Sequence, residues 1–178
     1  VSVASAGVHL TTRIFSDFSQ SNVLVLGAGE TGRLVTQHLM SHRPRSLTVV
    51  NRSLEAAESL AYPLAGRALG LDQLAEALCT ADIVACAAKV EEPLITSEMI
   101  QHAQQVRGLT SLAILDLGLP HNVEAKAGEL ANVFVQDLES LGRVVDTNLS
   151  RRRKEIPRVE ALIEEEMNRL ISWRRSLR

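Results

Sequence analysis

Aromatic side chains are scarce: three Phe, one Tyr and one Trp among 178 residues. A platform that stacks single-stranded nucleic acid needs several rings, and this chain is poorly supplied for one. Two cysteines cannot build a disulfide framework and lack the number and spacing of a zinc site, which suits a reducing cytoplasm. No apolar run approaches the roughly 20 residues of a membrane span. Neither sign of charge dominates: 19 Lys and Arg face 21 Asp and Glu, for a net charge of −2. That balance argues against a strongly basic nucleic-acid module as a description of the whole chain. There is no initiator Met, and no basic segment precedes an apolar one, so no signal peptide is visible. The sequence reads as a piece processed or excised from something longer.

What is present is globular in character, with 46% hydrophobic and 22% charged residues. The length fits one domain with an appended element. From about Asn22 to Val135, short apolar runs alternate with amphipathic helical stretches. Val23-Leu24-Val25-Leu26 has no polar alternation, as a strand buried on both faces should read. Further strands are expected at Leu47–Val50, Gly66–Leu69, Ile83–Ala87, Leu112–Leu115 and Val133–Val135. Helices are expected through Leu34, Val35, His38 and Leu39, through Ala56 to Ala61, through Leu71 to Leu78, and after Thr96 as a cap. This alternation implies an α/β fold: a Rossmann-type doubly wound parallel sheet covered on both faces.

The ends differ from this middle. Residues 1–18 read as a helix through Val8, Ile14 and Phe15. After Gly142 the pattern becomes one long charged α-helix, with apolar positions Val145, Leu149, Ile156, Val159, Ile163, Leu170 and Trp173 mostly three, four or seven apart. That narrow stripe has nothing in this chain to bury against, and Pro157 should kink it. The expected division is a nucleotide-binding domain over 1–142 and a helical segment over 143–178.

Gly27-Ala28-Gly29-Glu30-Thr31-Gly32 follows the first strand and opens the first crossover helix. The first glycine permits a tight turn, the second lets backbone approach a pyrophosphate, and the third allows helix and strand to pack closely. The helix N-terminus adds amide donors and a favourable dipole. An NAD-selective site would place Asp or Glu about 20 residues on, to hold the ribose hydroxyls. Here Asn51-Arg52-Ser53 stands instead. No carboxylate repels a 2′-phosphate, Arg52 offers a guanidinium, and Ser53 offers a hydroxyl. Asn51 or Ser53 could equally cap the next helix, and capping and phosphate contact can coexist. The expected cofactor is NADPH.

Other reactive residues read more plainly. Cys79 and Cys86 fit small buried positions rather than nucleophiles. His38 and His42 are spaced four apart on one helix, but no nearby third metal ligand is apparent. His121 follows Pro120 at the expected carboxyl edge of the sheet, where it could face the nicotinamide half or stand solvated. Arg151-Arg152-Arg153-Lys154 fits a solvated helix face better than a nucleic-acid contact.

Taken together these residues resemble the C-terminal part of the glutamyl-tRNA reductase family. The likeness runs through Val1-Ser2-Val3-Ala4, Gly27 to Gly32 with Glu30, Asn51-Arg52-Ser53, Ala81-Asp82-Ile83-Val84, Glu92-Pro93-Leu94-Ile95-Thr96 and Asp116-Leu117-Gly118-Leu119-Pro120. The tail from Asn148-Leu149 through Arg151-Arg152-Arg153 looks like the start of that family's long spinal helix. The resemblance implies reduction of glutamyl-tRNA to glutamate-1-semialdehyde with NADPH, in tetrapyrrole biosynthesis in the cytoplasm. It implies a thioester on a cysteine of a separate N-terminal domain, so neither Cys79 nor Cys86 inherits that role. It implies a homodimer formed through the helical C-terminal region, glutamyl-tRNA as substrate partner, and contact with the next enzyme, glutamate-1-semialdehyde aminomutase. The chain departs from the family at Cys86-Ala87-Ala88, where small hydroxyl residues are common, and at His121, where Arg is common. A shikimate-dehydrogenase-like cofactor domain is an alternative that leaves the C-terminal helix unexplained. A nucleotide-sensing dimerisation module is a non-enzymatic one.

Overall fold

The structure is a computed structural model that describes residues 3–142, apart from 13 and 16, together with residue 167. Its centre is a six-stranded sheet: β1 (Asn22–Leu26), β2 (Ser46–Val50), β3 (Arg67–Leu69), β4 (Ile83–Cys86), β5 (Leu112–Asp116) and β6 (Val133–Asp137). Every pairing is parallel, in the order β3-β2-β1-β4-β5-β6. This is the strand order of a Rossmann-type doubly wound fold, which reverses direction between β1 and β4. Among the described residues five α-helices accompany the sheet: α1 (Val3–Thr11), α2 (Glu30–Ser41), α3 (Leu54–Ala61), α4 (Leu74–Leu78) and α5 (Ser97–Arg107).

Alternate residues of each central strand feed two separate cores. Val23 and Val25 join Val35, Leu39, Leu47, Val49 and Leu60 on one face of the sheet. Leu24 and Leu26 join Leu74, Leu78, Val84, Ile100 and Ile114 on the other. Both faces being covered explains why these strands read as continuous apolar runs. Helix ends follow local chemistry: Ser53 caps α3 and Thr96 caps α5, each accepting a hydrogen bond from a backbone N–H three residues on.

Three expectations need adjustment. The helix expected over residues 1–18 stops at Thr11, and Ile14 and Phe15 lie beyond it. The hydroxyls of Thr11 and Thr12 donate to the carbonyls of Gly7 and His9 at 2.9 and 2.7 Å, and Asp17 then caps a separate 3₁₀ turn at Phe18–Gln20. The helix expected through Leu71 divides into a 3₁₀ turn, Leu71–Gln73, and the short α4. Finally, β4 ends at Cys86, one residue before Ala87. The chain divides into two units, Val1–Leu141 and Gly142–Arg178. The long helix expected over 143–178 and the cluster Arg151-Arg152-Arg153-Lys154 lie outside the described residues.

Candidate dinucleotide site

The turns that leave the carboxyl ends of β1, β2 and β4 enclose a cleft of about 300 Å³. Gly27, Ala28 and Gly29 form its floor after β1, Asn51 and Arg52 its wall after β2, and Ala87 to Val90 its wall after β4. Leu26, Leu71 and Leu94 add apolar surface. Backbone bonds join the three turns: Gly27 N–H donates to the Val50 carbonyl at 2.8 Å, and Ala87 N–H to the Leu26 carbonyl at 2.7 Å. Asn51 fastens the same corner from its side chain. Its Oδ1 accepts from Ala28 N–H at 3.3 Å, and its Nδ2 donates to the Ser53 carbonyl at 3.1 Å.

The three glycines carry separable tasks. Gly27 has φ of +105°, and a β-carbon there would lie 2.7 Å from backbone atoms of Ala87 and Ala88. At Gly32 a β-carbon would run into the Gly27 carbonyl, so this glycine lets α2 sit against the turn. Gly29, the N-cap of α2, has nothing within 4 Å of its would-be β-carbon. The space a side chain would fill there is open, at the end of a 12-residue helix whose first N–H groups have no intrahelical partner. This fits an anionic group of a dinucleotide.

Of the residues expected at the site, Gly27, Ala28, Gly29, Asn51 and Arg52 line the cleft. Glu30, Thr31 and Gly32 form the first turn of α2 behind it, Glu30 and Thr31 exposed and Gly32 buried. Ser53 is exposed, and its hydroxyl oxygen accepts from Ala56 N–H at 3.2 Å as the cap of α3. No carboxylate of the described residues pairs with Arg52.

Two features were not read from the sequence. Lys89 lines the cleft on the β4 side. Farther along the carboxyl edge, Asp116 and Asn122 are buried at 1% and 0% exposure. Asp116 accepts from the backbone N–H groups of Gly118, Asn122 and Val123 at 3.0, 2.9 and 3.2 Å. Asn122 grips Ala88 in both directions, accepting from its N–H at 2.9 Å and donating to its carbonyl at 3.0 Å. The wall of the cleft is thus positioned by a side chain 34 residues away. An Asn two residues past a proline in a loop was the available signal, and it has no periodicity to betray it.

Burial pushes the Cys86 thiol well above its usual range, with the Asp116 charge adding to the effect, so it stays protonated. Cys79 is half-buried and donates to the Ala75 carbonyl at 3.4 Å. No group of three metal-ligating side chains occurs among the described residues; the His42 ring instead lies 5.2 Å from that of Phe18. His121 is exposed, with Nδ1 3.4 Å from Asp116 Oδ2, and does not line the cleft.

Comparison with known proteins fits this architecture. The family described as shikimate / quinate 5-dehydrogenase matches residues 9–144. A glutamyl-tRNA reductase of Chloroherpeton thalassium is 40% identical over 99% of this chain, which covers 41% of that protein. The chain therefore spans about two fifths of the length of such relatives. Among solved structures, glutamyl-tRNA reductase from Methanopyrus kandleri superposes with a TM-score of 0.80 at 38% identity, over 93% of this chain and 42% of that one. The nucleotide binding domain of glutamyl-tRNA reductase from Thermoplasma volcanium shares the fold, with a TM-score of 0.66 at 16% identity, over 86% of this chain and 97% of that one. The chain belongs to the shikimate / quinate 5-dehydrogenase family, and along its whole length it resembles a segment of glutamyl-tRNA reductase.

Proposed function

We propose that this chain is the NADPH-holding portion of a glutamyl-tRNA reductase, the longer protein reducing glutamyl-tRNA to glutamate-1-semialdehyde in tetrapyrrole biosynthesis. The observation that carries the cofactor assignment is Arg52, a guanidinium that no carboxylate of the described residues pairs with, on a cleft whose β2 end bears no carboxylate. When bound, NADPH supplies the hydride. The chain's residues bind and orient it. The Gly27–Gly32 turn receives the pyrophosphate on backbone N–H groups, and Arg52 pairs with the 2′-phosphate. Ser53 adds a hydroxyl donor while its oxygen continues to cap α3. With Cys86 fully buried and the Cys79 thiol bonded to the Ala75 carbonyl, neither is assigned the covalent attachment of substrate, which this reading gives to residues outside the segment. Glutamyl-tRNA, a second copy joined through 143–178, and glutamate-1-semialdehyde aminomutase are the partners of the longer protein, in the cytoplasm.

Titration of the chain with both reduced dinucleotides tests the assignment. NADPH should bind more tightly than NADH. Arg52→Ala should remove roughly 1.5–3 kcal/mol of that preference, the range for hydrogen bonds to charged groups. Equal affinities in the wild type would overturn it. The family match over residues 9–144 favours a second reading, the cofactor domain of a shikimate-dehydrogenase-like reductase. NADP-dependent oxidation of shikimate by the longer protein, without reduction of glutamyl-tRNA, would establish that one instead.

A further inference from the structure

The cleft holds two cations, one on each side of the glycine turn. Arg52 follows β2 and Lys89 follows β4, and these strands flank β1 in the sheet. Lys89 is exposed, and no carboxylate of the described residues pairs with it, although Glu91 and Glu92 are close in sequence. Its backbone is fixed nonetheless, because the preceding residue, Ala88, is held at both its N–H and its carbonyl by the buried Asn122.

A phosphorylated dinucleotide presents two anionic groups, the 2′-phosphate and the pyrophosphate. Laid across the strand ends with its adenosine over β2, it brings the pyrophosphate to the open backbone at Gly29, between the two side chains. We propose that Lys89 is the pyrophosphate's counter-cation, a binding residue that works alongside the α2 N-terminus and leaves the 2′-phosphate to Arg52. The two cations then divide the labour. Lys89 contributes to affinity for any dinucleotide, and Arg52 chooses among them. This rests on the nucleotide-binding reading above.

The test titrates the whole chain and its Lys89→Ala, Lys89→Arg and Arg52→Ala variants with NADPH, NADH and ADP-ribose. Lys89→Ala should weaken all three by a common factor, roughly five- to tenfold for a charge contact that is partly solvated. The NADPH-to-NADH ratio should be unchanged, and Lys89→Arg should recover most of the loss. Arg52→Ala should instead narrow the ratio. An unaltered Lys89→Ala variant, a loss confined to NADPH, or a loss for NADPH and NADH that spares ADP-ribose would each overturn the assignment. In all three outcomes the wild type still binds, so the nucleotide-binding reading survives; a wild type that binds none of the ligands sinks both.

Discussion

A β-carbon added at position 29 and one added at position 32 would meet different fates, and the difference separates binding from folding. Gly29→Ala puts a methyl group into open space at an ordinary φ of −74°, so stability in urea should change by less than about 0.5 kcal/mol. Binding of NADPH should nevertheless fall at least about tenfold, as the methyl occupies the approach to the backbone. Gly32→Ala drives a methyl group against the Gly27 carbonyl, which cannot rotate aside as a side chain would. A loss of roughly 1–3 kcal/mol is expected in the same urea titration. Asn122→Ala is the third informative substitution. It strips both partners from the Ala88 peptide groups, for a cost of about 2–3 kcal/mol with weaker dinucleotide binding besides. The packing constraints on Gly27 and Gly32 were legible in the sequence because turn, strand and helix are contiguous there. The Asn122 grip was not, because its two ends are 34 residues apart and meet only in the folded chain.

Among the elements, α5 shows how an amino terminus is secured from two directions. Thr96 Oγ1 accepts from Met99 N–H at 3.2 Å within the helix, and Glu124 Oε2 accepts from Ser97 N–H at 2.8 Å from a later loop. That bond to Ser97 holds the Glu124 carboxyl below its usual range. Asp137, at the end of β6, is likewise lowered, chiefly by Ser140 N–H and in lesser part by the charge of His121. Both carboxyls titrate lower in the folded chain than in the unfolded one, where Glu and Asp sit near about 4.3 and 3.9. Their contribution is fully present above those values and is lost as pH falls through the lower folded ones. Urea midpoints measured from pH 6 downward should therefore decline, and Glu124→Gln should flatten part of the slope. Thr96→Ala should cost about 1 kcal/mol at every pH. Thr96 announced itself as a cap in the sequence, as a hydroxyl residue directly before a helical pattern. Glu124 did not, since nothing local says which helix end a loop carboxylate will reach.

At the scale of the whole molecule, strand sequence alone nearly determined the sheet. Apolar runs without alternation demanded cover on both faces, and the two cores built from Val23 and Val25 against Leu24 and Leu26 supply it. The broken element over residues 1–18 was less legible, because two adjacent threonines diverted hydroxyls to the helix's own carbonyls. The role proposed for 143–178 is tested by assembly. Sedimentation of the chain should give a dimer and that of residues 1–142 a monomer, and unchanged association after truncation would remove the segment as the dimer element.

Arg107 and the two cations of the cleft use positive charge in opposite ways. At the amino rim the guanidinium of Arg107, whose side chain is 5% exposed, is spent on Asp82 at 2.7 Å and on the carbonyls of Thr110 and Ser111. At the carboxyl rim Arg52 and Lys89 are left facing solvent. A chain of net charge −2 thereby keeps a local attractor for polyanions at the mouth of the cleft. Diffusing dinucleotides would be gathered to that mouth before any contact forms. Stopped-flow association rates should then drop steeply as the Debye length shortens with added salt, and the drop should be shallower once either cation is removed.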